Sequence, residues 1–208
     1  MYNTSHSQKS SNKFDFSSNV RIMKPIKITR LGNPLLRQTT KRLSKEEILS
    51  DEIQDFIKQL KFTLKHINDT KNIGVGLSAN QVGRNLAIAF IGIQPTQDKP
   101  DLEHFERIMI NPEIVETLGR RSSMWEGCLS CGSGNDMLEG LVPRYKKIRV
   151  KYLDENAKEH DEILEGFPAH VAQHETDHLN GKVFLDTARR NSLMMADEYR
   201  KRIVKKKK

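Results

Sequence analysis

The chain is nearly devoid of cysteine: Cys128 and Cys131 are the only two among 208 residues. So few exclude a fold stapled by several disulfides, and two thiols this close suggest metal binding or catalysis in a reducing compartment. Long apolar runs are missing as well. Nothing approaches the roughly 18 apolar residues of a membrane span, and the N-terminal MYNTSHSQKSSNKFDFSSN lacks the apolar segment of a secretory signal. A cytoplasmic protein with no membrane partner is the resulting expectation. No internal repeat is visible.

The chain is polar but not of disordered type. Hydrophobic residues make up 36%, clustered in periodic segments, and the length suits one domain with a sizeable core. Residues 1–22 are rich in Ser, Asn and Lys without periodicity and read as a disordered extension. That stretch has no Arg before Arg21 and carries Asp15, which argues against a transit peptide. Residues 23–190 form the expected folded domain, and 191–208 a basic C-terminal helix or tail. The excess of 35 Lys and Arg over 27 Asp and Glu gives +8, part of it in RKRIVKKKK. Such a tail can attract RNA or an anionic surface, or simply keep the protein soluble.

Within the domain, PIKITRLGNPLLR reads as a short strand stopped at Gly32-Asn33-Pro34. A helix follows, capped by Ser50 or Asp51, with Ile53, Phe56, Ile57, Leu60, Leu64 and Ile67 on one face. LAIAFIGI, ERIMINPEIV and KKIRVKYLD have the short apolar, β-branched character of strands, and EHDEILEG is the expected hairpin partner of the last. The final FPAHVAQHETDHLNGKVF predicts a helix with Pro168 in its first turn and Gly181 at its end. Central strands between helices give α+β.

That last helix carries His174-Glu175-Thr176-Asp177-His178, an HExxH pattern. Residues i and i+4 lie about 5 to 6 Å apart on one helix face, so two imidazoles can converge on one metal. Glu175 projects nearby without having to be a ligand, and can move protons between water and a leaving amine. The pattern is composed of ordinary polar residues, so it is also compatible with a plain helix surface. His170 shares the face, but eight residues separate it from His178, about 12 Å along the axis, too far for both to bind one ion. The pair His174 and His178 is favoured because Glu175 accompanies it, leaving His170 as a pocket wall or partly exposed residue.

Two imidazoles leave a tetrahedral site short of ligands. Cys128 can supply a third and leave a position for water; if Cys131 also binds, the site is a closed Cys2His2 centre. A redox CxxC pair is the third reading, weakened by the lack of a βαβ setting. A zincin-like metallopeptidase would instead take its third ligand from a downstream acid such as Glu198. A structural Cys2His2 zinc site in an RNA-binding module needs no hydrolysis at all.

Three stretches, GVGLSANQ (74–81), EGCLS (126–130) and QHETDH (173–178), in this order resemble the motifs of the peptide deformylases. The likeness runs from about Ile26 to Asp186 and includes ITRLGNPLLR, LVPRYKKIRVKYLDEN and HLNGKVFLD. It implies antiparallel strands packed around a central metal-binding helix, and removal of the N-formyl group from formyl-methionyl nascent peptides with release of formate. It further implies one divalent metal on Cys128, His174 and His178, ferrous iron in cells, with zinc, nickel or cobalt as substitutes. Glu175 is implied as general base and acid, Gln81 and the Leu129 N–H as oxyanion donors, and Gly74, Val75, Gly76 and Gly127 as the peptide groove. A monomer touching the ribosome through its basic tail, with no DNA partner, completes the expectation. The chain departs from the family pattern at Ser78, usually alanine, and over CGSGNDMLEG, where extra residues precede LVPR and border the groove, while Asn80 stands where the family varies. Ser78 and Asn80 are small enough to leave Gln81 in place; the extra residues put substrate preference and rate, not the ligand set, in question. Cys131 falls where the family usually has an aliphatic residue, so its closeness to Cys128 reads as coincidence.

Overall fold

The computed structural model describes residues 23–71, 73–95 and 102–204. The extension expected over 1–22 and the last four lysines lie outside these. Among the described residues a six-stranded antiparallel sheet forms the frame, β1 (Gly76–Ser78), β2 (Ile88–Ile93), β3 (Phe105–Gly127), β4 (Leu138–Leu153) and β5 (Glu159–Glu165) pairing in sequence order, with β6 (Met194–Met195) against the start of β4. The α+β class and antiparallel pairing agree with the sequence expectation. No helix among the described residues is long and apolar enough to cross a membrane.

A short α1 (Lys45–Ile48) opens with a capping box: Ser44 Oγ accepts from the Glu47 N–H, and the Glu47 carboxylate accepts from the Ser44 N–H. Next, α2 (Asp51–Lys71) buries Ile53, Phe56, Ile57, Leu60, Leu64 and Ile67, the stripe its spacing predicts. That stripe packs on Ile88, Phe90, Ile108 and Ile110, which project to one face of the sheet. The opposite face, carrying Ile91, Ile93, Met109, Ile148 and Val150, packs on Ala169, Val171 and Ala172 of α3 (Gly166–Leu179). Because β2 is covered on both faces, it reads as a continuous apolar run rather than an alternating one.

Two sequence expectations need correction. PIKITR is not a strand: Thr29 N–H donates to Gln81 C=O at 2.7 Å and Leu31 N–H to Ser130 C=O at 2.9 Å, single bonds to two different loops. Its apolar residues Ile26 and Ile28 pack beside α2 without a ladder partner, while Pro34–Arg37 closes as a 3-10 turn. The strand expected over Glu106–Val115 in fact runs to Gly127. Its second half is largely polar and exposed or half-buried, so its strand character comes from pairing with β4 and not from any apolar pattern.

This long β3–β4 hairpin is what positions the site. Pairing persists to Gly127↔Glu139, so residues 128–137 form the closed end of the hairpin and carry both cysteines. Beyond the sheet, α4 (Ala196–Tyr199) continues into one wider helical turn, Arg200–Val204.

The register shifts between Ile110 and Glu113, where Pro112 cannot donate to a ladder. Asn111 there adopts φ 53 and its amide clamps Leu43, accepting from the Leu43 N–H at 2.9 Å and donating to the Leu43 C=O at 2.7 Å. Asn111→Ala removes both bonds and leaves a side chain that resists left-handed backbone. It should cost about 2 to 4 kcal/mol, read as a lower urea midpoint at unchanged slope.

Candidate active site

Cys128 follows the last residue of β3 directly, and His174 and His178 stand one turn apart on α3. The fold brings them together: one donor atom from each lies within 4.8 Å of the others. Cys128 Sγ is 3.3 Å from His178 Nε2, which is 3.2 Å from His174 Nε2. A tetrahedral ion with bonds of about 2.0 to 2.3 Å requires donor separations of about 3.3 to 3.6 Å; the two separations through His178 Nε2 match this, and the Cys128–His174 separation lies within 4.8 Å, so the group suits such an ion with a small adjustment. Among the described residues this is the one such group, and neither Cys131 nor Glu198 belongs to it. The Cys2His2 and zincin arrangements therefore lack their distinguishing ligand. Glu198 instead binds Lys201 and Arg202 on its own exposed helical turn.

The ring of His174 is fixed from behind by Glu126, whose Oε2 lies 2.7 Å from His174 Nδ1. With the proton on Nδ1, Nε2 presents its lone pair to the donor group. Glu126 is buried and held by Arg144 through Nε at 2.5 Å and Nη2 at 3.1 Å, while Arg144 also reaches Asp177 at 2.7 Å. His170 Nε2 approaches Glu126 Oε1 to 2.5 Å without hydrogen-bond alignment. His170 is thus a buried wall of the cleft, locked to the carboxylate that orients its neighbour.

Glu175 points into the cleft, 3% exposed, with Oε2 lacking a hydrogen-bond partner. Burial raises its pKa above the ordinary carboxylate range, although His174 and His178 oppose the shift. Gln81 lies opposite. Its Oε1 accepts from the Ser78 N–H at 2.9 Å and from Ser78 Oγ at 3.0 Å, which turns Nε2 toward Cys128 Sγ and Ser130 Oγ, both at 3.3 Å. Ser78 thus anchors the amide, where size alone predicted only that it would be tolerated. Asn80 Nδ2 donates to the His178 carbonyl at 2.6 Å, tying this turn to the C-terminal end of α3.

Gly74, Val75, Gly76, Gly127 and Leu129 all line the same cleft of about 350 Å³, together with Cys128, His174, Glu175 and Gln81. Two of the glycines have a role the sequence did not reveal. A Cβ on Gly76 would collide with the Glu175 carboxylate, and one on Gly127 would come within 2.9 Å of Glu139 Oε1. Each glycine makes room for a carboxylate.

Sequence reasoning assigned no role to Glu126, Arg144 or Asp177. The available signal was alternation: Glu126 and Cys128 are two apart leaving a strand, hence directed to one side.

Burial opposes ionisation of Glu126, but the close approach of His170 and the hydrogen bonds and charges of His174 and Arg144 outweigh it, holding its carboxyl far below the usual range. A depressed carboxylate adds stability that is fully present above the unfolded value of about 4.3 and is lost as the pH falls toward the folded one. Glu126→Ala, which strands the buried Arg144, should cost about 3 to 5 kcal/mol at pH 7. In chemical denaturation the gap to wild type should begin to narrow as the pH falls below about 4, where the unfolded chain takes up a proton that the folded carboxylate still refuses, and should go on narrowing as the pH is lowered further.

Comparison with known proteins agrees with this arrangement. The family model described as polypeptide deformylase matches residues 25–193. A peptide deformylase of Leptospira biflexa is 37% identical over 176 residues, spanning 83% of this chain and 92% of the relative. Among solved structures, a class I type b peptide deformylase of Acinetobacter baumannii with Met-Ala-Ser bound superposes with a TM-score of 0.72 at 28% identity, covering 80% of this chain and 99% of that one. An actinonin complex of the Synechococcus elongatus peptide deformylase gives 0.67 at 31% identity, covering 88% and 86%. The chain belongs to the polypeptide deformylase family.

Proposed function

We infer that this deformylase hydrolyses the N-formyl group of formyl-methionyl nascent peptides at a divalent metal held by Cys128, His174 and His178. The observation that carries the reading is the convergence of those three donor atoms beside Glu175, whose buried Oε2 has no hydrogen-bond partner. One thiolate and two imidazoles suit ferrous iron, our choice for the ion in cells, and accept zinc, nickel or cobalt. When bound, the ion supplies Lewis-acid polarisation of the formyl carbonyl and makes water acidic enough to ionise near neutral pH.

The chain's own residues do the rest. Glu175, whose raised pKa lets it hold a proton, takes one from the attacking water and delivers it to the leaving amine. Gln81 Nε2 and the Leu129 N–H donate to the oxygen that gains charge as the formyl carbon becomes tetrahedral. Ser78 keeps Gln81 from flipping its acceptor end into the site. Glu126 holds the His174 tautomer, and Arg144 holds Glu126. Gly74, Val75, Gly76 and Gly127 offer backbone to an extended peptide, which leaves the cleft to receive its methionine side chain.

The domain assignment follows the same reading: an extension over 1–22, the catalytic domain over 23–190 and a basic tail over 191–208, in a cytoplasmic monomer. The tail, whose Lys201 and Arg202 are already engaged with Asp197 and Glu198, brings the enzyme to ribosomal RNA. Deleting 200–208 should then abolish salt-sensitive co-sedimentation with ribosomes, and unchanged co-sedimentation would refute that contact.

The function is tested by formate release from a formyl-Met peptide with iron-loaded protein under anaerobic conditions. Glu175→Gln should retain the metal and lower kcat by about 10²- to 10⁴-fold. Gln81→Ala should lower it by about 10²- to 10³-fold. Cys128→Ala should lose the metal, whereas Glu198→Ala should keep both metal and activity; the reverse result would return the zincin reading.

A further inference from the structure

Deformylation gives Cys131 no task, yet the fold sets it against Cys128. Cys128 caps the 3-10 turn Leu129–Cys131, and the Cys131 N–H donates to the Cys128 C=O at 2.8 Å. A turn closed by that bond keeps its end Cα atoms within about 7 Å. Disulfide-bonded residues span about 4.4 to 6.8 Å, so the backbone already suits a bridge. The two side chains also share one buried cluster, with Val142 and Phe184, and both are free thiols. Cys128 lines the cleft, and Cys131 is not among its lining residues. The closeness that reads as coincidence in the sequence is a contact in the fold.

We propose that Cys131 is a resolving thiol, which captures Cys128 as an intramolecular disulfide when a hydroperoxide enters the cleft. In the first step the Cys128 sulfur gives an electron pair to one peroxide oxygen. The O–O bond breaks, Cys128 becomes a sulfenic acid, and the other oxygen leaves as water with the thiol proton when the oxidant is hydrogen peroxide. In the second, the Cys131 sulfur attacks the Cys128 sulfur, the S–O bond breaks, and hydroxide departs as water with the Cys131 proton. Two thiols lose two electrons, and one peroxide is reduced to two waters.

The bridge removes the sulfur donor from the group of three, so oxidation releases the metal; this consequence rests on the ligand set inferred above. It also stops Cys128 short of the sulfinic and sulfonic acids, which dithiols cannot reduce. Oxidation is thereby converted from damage into a reversible off state.

The test exposes the full-length protein, metal-loaded and metal-free, to hydrogen peroxide. Remaining thiols are then blocked with N-ethylmaleimide, and residues 126–140 are mapped by mass under non-reducing conditions alongside metal content. The expected wild-type product is two hydrogens lighter, carries no maleimide and has released its metal; dithiothreitol restores both maleimide sites, and added metal then restores formate release. Cys131→Ser, with Cys131→Ala as a second variant should the first fold poorly, should accumulate oxygen adducts on Cys128 that dithiothreitol does not reverse. Wild-type protein that over-oxidises at Cys128 while Cys131 still takes maleimide would overturn the proposal, as would equal recovery of wild type and variant. The thiol map needs no formyl substrate. A bridge formed in protein that releases no formate supports this proposal and counts against the function above.

Discussion

Everything at the site hangs on one buried carboxylate. Glu126 leaves β3 pointing at α3 and binds His174, while Arg144 of β4 binds Glu126 and reaches Asp177 on the next turn of α3. Strand, strand and helix are thereby held by a charge network with both signs present and most donors used. Taking these groups out of water costs several kcal/mol per ion, and the network is tolerable only because it is nearly complete. Such a network contributes little net stability compared with apolar packing. What it does supply is direction: the His174 ring cannot turn without breaking it.

That constraint explains why the donor group can be split across distant parts of the chain. Cys128 is delivered by the closed end of a long hairpin and His174 and His178 by a helix packed across the sheet. The apolar contacts that join α3 to the sheet set their distance, as Ala169, Val171 and Ala172 seat the helix on Ile148 and Val150. The polar contacts then set orientation. Division of labour between a non-directional force and a directional one is what allows a preformed site.

Much of this was legible in the sequence, and the reason is periodicity. The stripe of α2 and the i, i+4 spacing of His174 and His178 are local patterns, and local patterns survive without knowledge of partners. The second half of β3 was not legible, because its polar residues are held in a strand by β4 alone. Nor was the space beside Gly76: a missing side chain next to Glu175, a residue remote in sequence, leaves no pattern in the chain. The three donors themselves were named by ordered motifs, whereas Glu126 and Arg144, which orient them, sit 18 residues apart with no shared spacing rule.

Ser78 and Asn80 follow the same polar logic. Ser78 Oγ has one proton and two acceptors in reach, Asn80 Oδ1 at 2.9 Å and Gln81 Oε1 at 3.0 Å. Asn80 spends its own donor on the His178 carbonyl, an acceptor near the end of α3 where helices leave carbonyls without intrahelical partners. The pair is consistent as a unit. Alanine at 78 would leave Asn80 Oδ1 buried without that donor, and an apolar residue at 80 would leave the Ser78 proton to Gln81 alone. Two residues that look independent in the sequence are thus coupled through one hydroxyl proton, and together they fix the face that Gln81 turns toward Cys128.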